Sequence, residues 1–356
     1  MSEFTCNQEI VTTARRQLAQ HVWDYLTGGA ESEMSMRRNR HAIDSYAFIP
    51  RVLRDMSNID PSGRTLGQKV RIPVLLAPIG SLQAIHAGGG ASSAKAAARF
   101  GTMPIISSIT EPSLEEIAAA ADGPKVFQLY VRGDFDWIRN ILGRVKAAGY
   151  TALAVTVDSA YYGIRERQLM NRYLPPSVKV QKDRHLQAAI TWELMDRIRD
   201  VWQGTFILKG IGSVADAVMA VERGVDTLYI SNHGGRQLDH CLGSLETLAE
   251  VAPAVKGRAE LIVDGGILRG TDVIKAIALG ASSVAIGRLQ GWALAAGGED
   301  GLVRCLELLE REIINALGLL GVNDFSQLTA EYVRKTDVIG PTHELSTFYH
   351  LQERLT

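Results

Sequence analysis

The sequence predicts an α/β fold: a single (β/α)8 TIM barrel with a helical N-terminal segment and an extended loop after the fourth strand. Eight short β-rich runs alternate with helical stretches, and most begin roughly 22 to 33 residues apart, the length of one βα unit. Most runs are apolar without alternation, as in parallel strands buried on both faces. A doubly wound sheet is the alternative, but eight near-uniform units favour a closed barrel. The predicted strands cover residues 72–77, 103–107, 126–131, 152–158, 205–209, 227–231, 261–264 and 284–287.

The segment before the barrel predicts one helix. Apolar residues from Ile10 to Tyr25 recur at helical spacing, and Gly28 and Gly29 end the pattern. We therefore expect a helix over residues 7–26, inside an N-terminal extension of about residues 1–65. The barrel then takes about residues 66–320, with a closing helix at 301–320, and a tail takes about residues 321–356. One domain covers the whole chain in this interpretation.

Helices between the strands are marked by capping residues and glycines. The marks are a capping box at Ser113 and Glu116, a start at Ser213 with a stop at Gly224, and a start at Thr271 with a stop at Gly280. The interval after the fourth strand is longer, at about residues 159–189. A loop of this length either covers a site as a lid or is a solvated insertion.

The composition excludes several classes of function. The formal net charge is −1 and the pI is about 6.7, so a nucleic-acid partner is not expected. Cys6, Cys241 and Cys305 are odd in number and lack the spacing of a metal site, and the first residues do not resemble a signal peptide. A cytoplasmic protein without a metal is expected. The apolar stretch 276–298 contains Arg288 and is typical of a helix followed by a strand, so no membrane insertion is expected.

The segment 231–239, Ser-Asn-His-Gly-Gly-Arg-Gln-Leu-Asp, follows a predicted strand and combines two functional side chains. His233 can take a proton near neutral pH. Arg236 can hold a carboxylate with two parallel hydrogen bonds. The glycines between them let the backbone approach a flat ligand. The segment therefore predicts a site that deprotonates an acid substrate while it binds the carboxylate of that substrate.

Every predicted strand carries a polar residue or a glycine at the end where barrel enzymes have their active sites. Asp264-Gly265-Gly266 and Gly287-Arg288 offer backbone N–H groups and a guanidinium where barrels commonly bind phosphate. Asp264 could instead hold its own loop by side-chain hydrogen bonds. Lys209 ends an apolar strand, so a negative ligand is expected beside it. The side chains that could surround a flat heterocycle such as a flavin are Ser107, Gln128, Thr156, Lys209 and Ser231.

At this point the sequence resembles the FMN-dependent 2-hydroxy acid oxidase and dehydrogenase family, which includes glycolate oxidase, lactate oxidase, mandelate dehydrogenase and the flavin domain of flavocytochrome b2. The resemblance runs from Asp24 to about Gly321. The matching motifs lie, in order, at residues 127–130, 156–158, 163–166, 208–210, 231–239, 264–266 and 269–272.

The resemblance implies a catalytic set and a substrate set. His233 is expected to be the active-site base, and Asp158 to orient it and to stabilise the imidazolium. Arg165 and Arg236 are expected to clamp the substrate carboxylate with help from Tyr25, and Tyr130 to hydrogen-bond the reacting hydroxyl. Residues alone would also allow Tyr25 to be a core residue and Asp158 to cap the long loop.

The resemblance also implies how FMN is held. Lys209 is expected by the N1/O2 side of the ring, where it stabilises the reduced anionic form. The backbone of Ala77, Pro78, Ile79 and Gly80 is expected to face the ring near N5. Hydrogen bonds to the ring are expected from Ser107, Gln128, Thr156 and Ser231. The ribityl phosphate is expected at Asp264, Gly265, Gly266, Arg269, Gly287 and Arg288.

Several positions depart from glycolate oxidase-like members. Leu268 stands where arginine is usual, with Arg269 one place further on, so FMN is expected to bind more weakly. Ile109 replaces an aromatic residue of the substrate pocket, and Gly80 stands where oxidases commonly have alanine. Tyr162 is expected to line the pocket and to favour an aromatic or polar substrate tail. The long loop lacks the apolar insertion that anchors mandelate dehydrogenase to membranes, so a soluble protein is expected.

The leading hypothesis is therefore FMN-dependent oxidation of an (S)-2-hydroxy acid to the 2-oxo acid. Oxygen, a quinone or another protein would reoxidise the flavin, and a homotetramer is expected from the resemblance. Whether the substrate's hydrogen leaves as a proton or as a hydride is open. One alternative is the same chemistry on a larger, peptide-derived amine or hydroxyl. Another is a flavin-binding protein without turnover.

Overall fold

The structure is a computed structural model that describes residues 4–180, 184–348 and 351. Its first elements precede the barrel: α1 (Asn7–Gln17), α2 (Gln20–Thr27), α3 (Met34–Asp44), β1 (Tyr46–Phe48), β2 (Gly63–Thr65) and β3 (Gln68–Val70). The single helix predicted over residues 7–26 is wrong, because Leu18 and Ala19 are extended and separate α1 from α2. Neither residue is a glycine or proline, and the apolar spacing continues across the break. The sequence therefore gave no sign that the helix ends there.

Eight parallel strands form the barrel, and all eight predicted strands are confirmed, with ends that shift by a few residues. The strands are β4 (Val74–Leu76), β5 (Ile105–Ser107), β6 (Val126–Leu129), β7 (Ala152–Thr156), β8 (Thr205–Ile211), β9 (Thr227–Ile230), β10 (Glu260–Val263) and β11 (Ser283–Ile286). Each pairs with the next in the chain from β5 to β11, and β11 pairs with β4. The barrel closes through a bridge between Leu76 and Pro104, with a hydrogen bond of 3.1 Å from the amide of Leu76 to the carbonyl of Met103.

Helices surround the strands. They are α4 (Gly89–Phe100), α5 (Leu114–Ala119), α6 (Phe135–Ala147), α7 (Glu166–Met170), α8 (Pro176–Val180), α9 (Arg184–Ala188), α10 (Trp192–Val201), α11 (Val214–Glu222), α12 (Ser244–Val255), α13 (Gly270–Ala278) and α14 (Arg288–Leu320). The extended segment after β7 therefore contains three short helices, α7 to α9. The closing helix is confirmed as the part of α14 beyond a kink at Gly297 and Gly298.

The predicted helix starts at Ser113 and Ser213 are confirmed by side-chain caps. The start predicted at Thr271 is wrong by two residues, because the N-cap is Arg269. The carboxylate of Asp272 accepts hydrogen bonds from the amides of Leu268 and Arg269, at 2.9 and 3.0 Å. These bonds satisfy free backbone amides at the start of the helix and place the N-cap at Arg269, two residues before the predicted position.

The N-terminal end of the barrel is closed by the β2–β3 hairpin. Leu66 and Val70 pack in one apolar cluster with the side chains inside the barrel, and the hydroxyls of Thr65 and Ser283 lie 3.0 Å apart. The C-terminal segment returns to the N-terminal extension through β12 (Val333–Lys335), which pairs antiparallel with β1. The opposite end of the barrel, where the strands finish, is open. In the part of the chain that the structure describes, no helix is both long and apolar enough to cross a bilayer.

Candidate active site

A cleft lies over the carboxyl ends of the strands, where the sequence predicted a site. Its walls bring together residues from all parts of the chain. On the side predicted to bind substrate, the lining residues are Tyr25, Ile109, Tyr130, Tyr162, Arg165, His233 and Arg236. On the side predicted to bind the cofactor, they are Ala77, Pro78, Ile79, Gly80, Lys209, Asp264, Gly265, Gly266, Gly287 and Arg288.

His233 is held by two neighbours at the substrate side. Its Nδ1 lies 3.0 Å from Oδ1 of Asp158, and its Nε2 lies 3.3 Å from the hydroxyl of Tyr130. A carboxylate can only accept, so Nδ1 carries the proton and Nε2 keeps its lone pair toward the cleft. Burial lowers the pKa of His233, and this effect outweighs the opposing charge of Asp158. The imidazole is therefore neutral near pH 7 and can accept a proton.

Asp158 and Tyr130 keep the protonation states that this arrangement requires. Burial alone would raise the pKa of Asp158, but His233 and Lys209 outweigh it and the net shift is downward. Burial, followed by the charge of Asp158, raises the pKa of Tyr130 well above its ordinary value. Asp158 is therefore an anion and Tyr130 a neutral phenol that can donate a hydrogen bond.

The loop after β9 needs an unusual backbone to aim His233. His233, Gly234 and Gly235 have φ of +60°, +64° and +76°. A positive φ is costly for a histidine, and such strain is concentrated at functional sites. Two partners fix the loop: the His233 amide donates to the Ser231 hydroxyl at 2.9 Å, and the side-chain amides of Asn232 and Asn39 exchange hydrogen bonds of 2.8 and 2.9 Å.

Two guanidinium groups, those of Arg165 and Arg236, lie on the substrate side, and Arg288 shares the Gly28 carbonyl with Arg236. Arg236 donates to the carbonyl of Gly28 at 2.7 Å and lies 5.3 Å from the ring centroid of Tyr25. Arg165 donates to the carbonyl of Arg236 at 3.3 Å. Burial and the positive charges of Arg165 and Arg288 lower the pKa of Arg236 well below its ordinary value. Among the described residues no carboxylate forms an ion pair with Arg165 or Arg236, so an anionic ligand is favoured there, and a carboxylate fits.

The predicted polar residues at the strand ends form two buried groups of hydrogen bonds. Ser107 donates to Gln128 at 2.8 Å, and Gln128 donates to Thr156 at 2.8 Å. Lys209 donates to Ser231 at 3.2 Å. Within the described ranges, Lys209 is the one of these five that lines the cleft. The other four hold the strand ends together beneath it.

Asp264 provides an unsatisfied acceptor in the cleft. Its Oδ2 accepts a hydrogen bond of 3.0 Å from Tyr229, whereas its buried Oδ1 has no partner among the described residues. Gly265 and Gly266 follow with φ of +95° and +82°, and a Cβ at Gly265 would lie 2.9 Å from the side chain of Asn39. An orphaned acceptor beside a glycine backbone, with Lys209 in the same cleft, fits a flavin with a hydroxylated chain.

The far end of the cleft has less free positive charge than predicted. Arg288 begins α14, but its guanidinium donates to the carbonyls of Thr27, Gly28 and Gly234 at 2.9, 3.1 and 2.9 Å. Burial lowers the pKa of Arg288 to about 10. The backbone of Gly287 and the start of α14 remain as anion-binding groups there.

Arg269 requires a correction, because the structure places its side chain away from the cleft. It donates to Glu312 at 2.7 Å, and its guanidinium lies 5.1 Å from the ring centroid of Phe348. The position is the N-cap of α13, from which the side chain points to α14. Its neighbour Leu268 lines the cleft in its place.

Several lining residues were missed by sequence reasoning. Asn39 and Arg40 come from α3, Ser177 and Val178 from α8, and Glu344 from the C-terminal tail. These residues contact segments that are far apart in the chain, and no local sequence pattern indicates that they line the cleft. Asn39 and Arg40 lie beside the predicted glycine loop only in the folded chain, so the sequence alone gave no signal for them.

Comparisons with known proteins agree on one family. The sequence profile of the family described as FMN-dependent dehydrogenase matches residues 14–335. An L-lactate oxidase of Nostoc sp. is 36% identical over 90% of this chain and 95% of its own length. A glycolate oxidase of Oryza sativa subsp. indica is 34% identical over 94% of this chain and 96% of its own length.

Solved structures agree as well. A crystal structure of mandelate oxidase superimposes with a TM-score of 0.88 at 36% identity, covering 94% of this chain and all (100%) of that one. A structure of mandelate oxidase with (S)-4-hydroxymandelic acid superimposes with the same TM-score of 0.88 at 35% identity and the same coverage, 94% and 100%.

Proposed function

Because the chain belongs to the FMN-dependent dehydrogenase family, and is thus an enzyme with FMN as its cofactor, we propose that it oxidises an (S)-2-hydroxy acid to the 2-oxo acid. The observation that carries the proposal is the position of a neutral imidazole and two guanidinium groups in one cleft. A base and a carboxylate anchor must meet at one carbon for this reaction. Bound FMN supplies the electron acceptor for the two electrons that leave that carbon.

His233 is the base of the proposed reaction. Its Nε2 takes a proton from the substrate, and the Asp158 carboxylate at 3.0 Å from Nδ1 stabilises the resulting imidazolium. The Tyr130 hydroxyl, 3.3 Å from the same Nε2, hydrogen-bonds the substrate hydroxyl and keeps it close to the base. Either form of hydrogen transfer uses this geometry, since both require one proton to reach His233.

Arg165 and Arg236 bind the substrate carboxylate. Arg236 is fixed by the carbonyl of Gly28 and by the ring of Tyr25, so little side-chain freedom is lost when an anion binds. The Tyr25 hydroxyl donates to the carbonyl of Gly80 at 2.8 Å, which connects the carboxylate side to the backbone that would face the ring. Lys209 lines the same cleft and would lie beside the bound ring, where a cation would favour the reduced, anionic form of the flavin.

The remaining wall of the cleft supports a substrate with an apolar side chain. Ile109, Pro175 and Val178 line it together with Tyr162. A Cβ on Gly80 would lie 2.8 Å from Cδ1 of Ile109, so the isoleucine fills the space above this glycine. Medium-sized aliphatic or aromatic 2-hydroxy acids are therefore favoured over glycolate.

A larger, peptide-derived substrate is the second candidate, and one observation favours it. Exposed apolar side chains occur along the extended segment after β7: Tyr161, Ile164, Leu169, Met170 and Leu174. A longer molecule could bury them on binding.

The setting of the enzyme is also part of the proposal. Cys6, Cys241 and Cys305 are free thiols, which supports a reducing compartment such as the cytoplasm. Oxygen, a quinone or a protein accepts the electrons from the flavin, and the enzyme assembles as a homo-oligomer, proposed as a tetramer. Light scattering on the purified protein measures the assembly directly.

The test is the visible spectrum of the FMN-loaded enzyme under anaerobic conditions. A panel of paired (S)- and (R)-2-hydroxy acids is added, namely lactate, 2-hydroxyoctanoate and mandelate, together with the achiral glycolate. We expect the (S)-acids with apolar side chains to bleach the flavin bands and their (R)-partners to leave them unchanged. Bands that every member leaves unchanged would contradict the proposal and favour the larger substrate.

A further inference from the structure

Tyr229 is a polar residue in an otherwise apolar place. It lies on β9 with its side chain inside the barrel, fully buried, in the same cluster as Leu75, Ile207 and Ile262. Its hydroxyl donates to Oδ2 of Asp264 at 3.0 Å. The Nζ atom of Lys209 lies 5.0 Å from its ring centroid. A leucine would fill this space without a buried hydroxyl, so the hydroxyl calls for an explanation.

The hydroxyl of Tyr229 fixes the carboxylate that it contacts. Burial, followed by the charge of Asp264, raises the pKa of Tyr229 well above its ordinary value, so the phenol keeps its proton and stays a donor. With Oδ2 held from inside the barrel, Oδ1 of Asp264 is the oxygen left for the cleft. Oδ1 is buried and has no partner among the described residues. An unmet buried acceptor is costly, and a donor on a ligand removes the cost.

The end of the cleft predicted to bind the phosphate has few free cationic side chains that could help to hold the cofactor. The Arg288 guanidinium is occupied by three backbone carbonyls, and that of Arg269 by Glu312. Leu268 contributes an apolar wall, and the carboxylate of Glu344 also lines the cleft. Retention of the cofactor must therefore depend more on contacts to its middle than on cationic side chains at its phosphate.

We propose that Tyr229 is a positioning residue for the cofactor: it holds the Asp264 carboxylate so that Oδ1 accepts a hydrogen bond from a hydroxyl of the flavin's ribityl chain. The inference concerns the FMN site and is independent of which substrate the enzyme oxidises. It also assigns the benefit to one part of the cofactor, the polyol, and to neither the ring nor the phosphate.

The experiment compares three flavins on Tyr229→Phe and wild-type protein. Dissociation constants of FMN, riboflavin and lumiflavin for the flavin-free protein are measured by quenching of flavin fluorescence. Riboflavin lacks the phosphate, and lumiflavin lacks both the phosphate and the hydroxylated chain. The loss of one buried hydrogen bond to a charged group predicts affinities for FMN and riboflavin that are about tenfold lower, with lumiflavin unchanged. Wild-type protein should also bind riboflavin about tenfold more tightly than lumiflavin.

Tyr150→Phe is the matched control. The Tyr150 hydroxyl is also buried and donates to the carbonyl of Leu114 at 3.0 Å, away from the cleft. This variant should bind all three flavins as wild type does. Equal losses for lumiflavin and riboflavin would overturn the proposal, because they would place the effect at the ring or in general stability. Unchanged affinities in Tyr229→Phe, or equal wild-type affinities for riboflavin and lumiflavin, would overturn it as well.

Discussion

The arginines at the two ends of the cleft are paired in opposite ways. Beside α3 and α13, Arg40 is buried and makes hydrogen bonds of 2.7 to 3.0 Å to Asp44, Asp272 and the carbonyl of Gly266. On the substrate side, Arg236 is only partly buried, and its neighbours are two further arginines and backbone carbonyls. An arginine side chain thus stabilises the fold at one end of the cleft, as Arg40, and is available to bind an anion at the other, as Arg236.

This difference separates scaffold from site. A buried cation with its carboxylates already in place has no charge left to offer a ligand. A buried cation without a carboxylate is a cost that the folded protein bears until an anion binds. Removing Arg236 should therefore affect binding more than stability, and breaking the Arg40 network should do the opposite.

The largest expected effect is at the base. His233→Asn should lower the rate of flavin reduction by about 10²- to 10⁴-fold, because asparagine cannot take the substrate's proton. Rapid mixing under anaerobic conditions measures this rate. His41→Asn, at an exposed position of α3, is the control and should react at the wild-type rate. A His233→Asn enzyme with wild-type reduction would remove the histidine from the mechanism.

Substitutions in the Arg40 network should lower the stability of the fold. Asp272→Asn breaks a buried ion pair and should lower the free energy of unfolding by about 3–5 kcal/mol in urea titrations. Asp300→Asn breaks the exposed pair with Arg99, at 2.8 Å, and should cost less than about 1 kcal/mol. Equal losses in the two variants would mean that burial does not distinguish these pairs.

Substitution of Arg236 on the substrate side should weaken substrate binding. Arg236→Met removes a charge-assisted contact to the carboxylate and should lower kcat/KM by about 100-fold, with the melting temperature unchanged or higher. Arg269→Met, whose parent residue pairs with Glu312 outside the cleft, should keep its kcat/KM. If the two variants lost kcat/KM alike, the assignment of the two arginines to different tasks would be wrong.

The smallest effect concerns pH. Burial lowers the pKa of His233 from its ordinary value of 6.5, so kcat/KM should fall on the acid side with a midpoint below pH 6.5. The Asp158 charge opposes this shift. Asp158→Asn should therefore move the midpoint to still lower pH while it lowers the maximum rate. A midpoint that moved to higher pH in this variant would contradict the assigned pairing.

Much of this architecture could be predicted from the sequence, for physical reasons. Strands buried on both faces must be apolar runs, so all eight were recognisable, and barrel chemistry collects at their ends. Asn39 was not recognisable, since it lies in no local pattern and its partner Asn232, in the 231–239 segment, is 193 residues away. Arg269 was wrongly assigned to the phosphate site because it follows a glycine loop in the sequence. Closeness in sequence does not determine the direction in which the side chain of an N-cap residue points.

The central claim is that Arg165 and Arg236, which form no ion pair with a carboxylate among the described residues, bind the carboxylate of the substrate. The most direct measurement is the anaerobic rate of flavin reduction by (S)-mandelate and by the corresponding amide, (S)-mandelamide, on the wild-type enzyme. The amide keeps the reacting carbon and the apolar ring but carries no charge. The account predicts reduction by the acid and a kcat/KM about 100-fold lower for the amide. Equal values for acid and amide would contradict it.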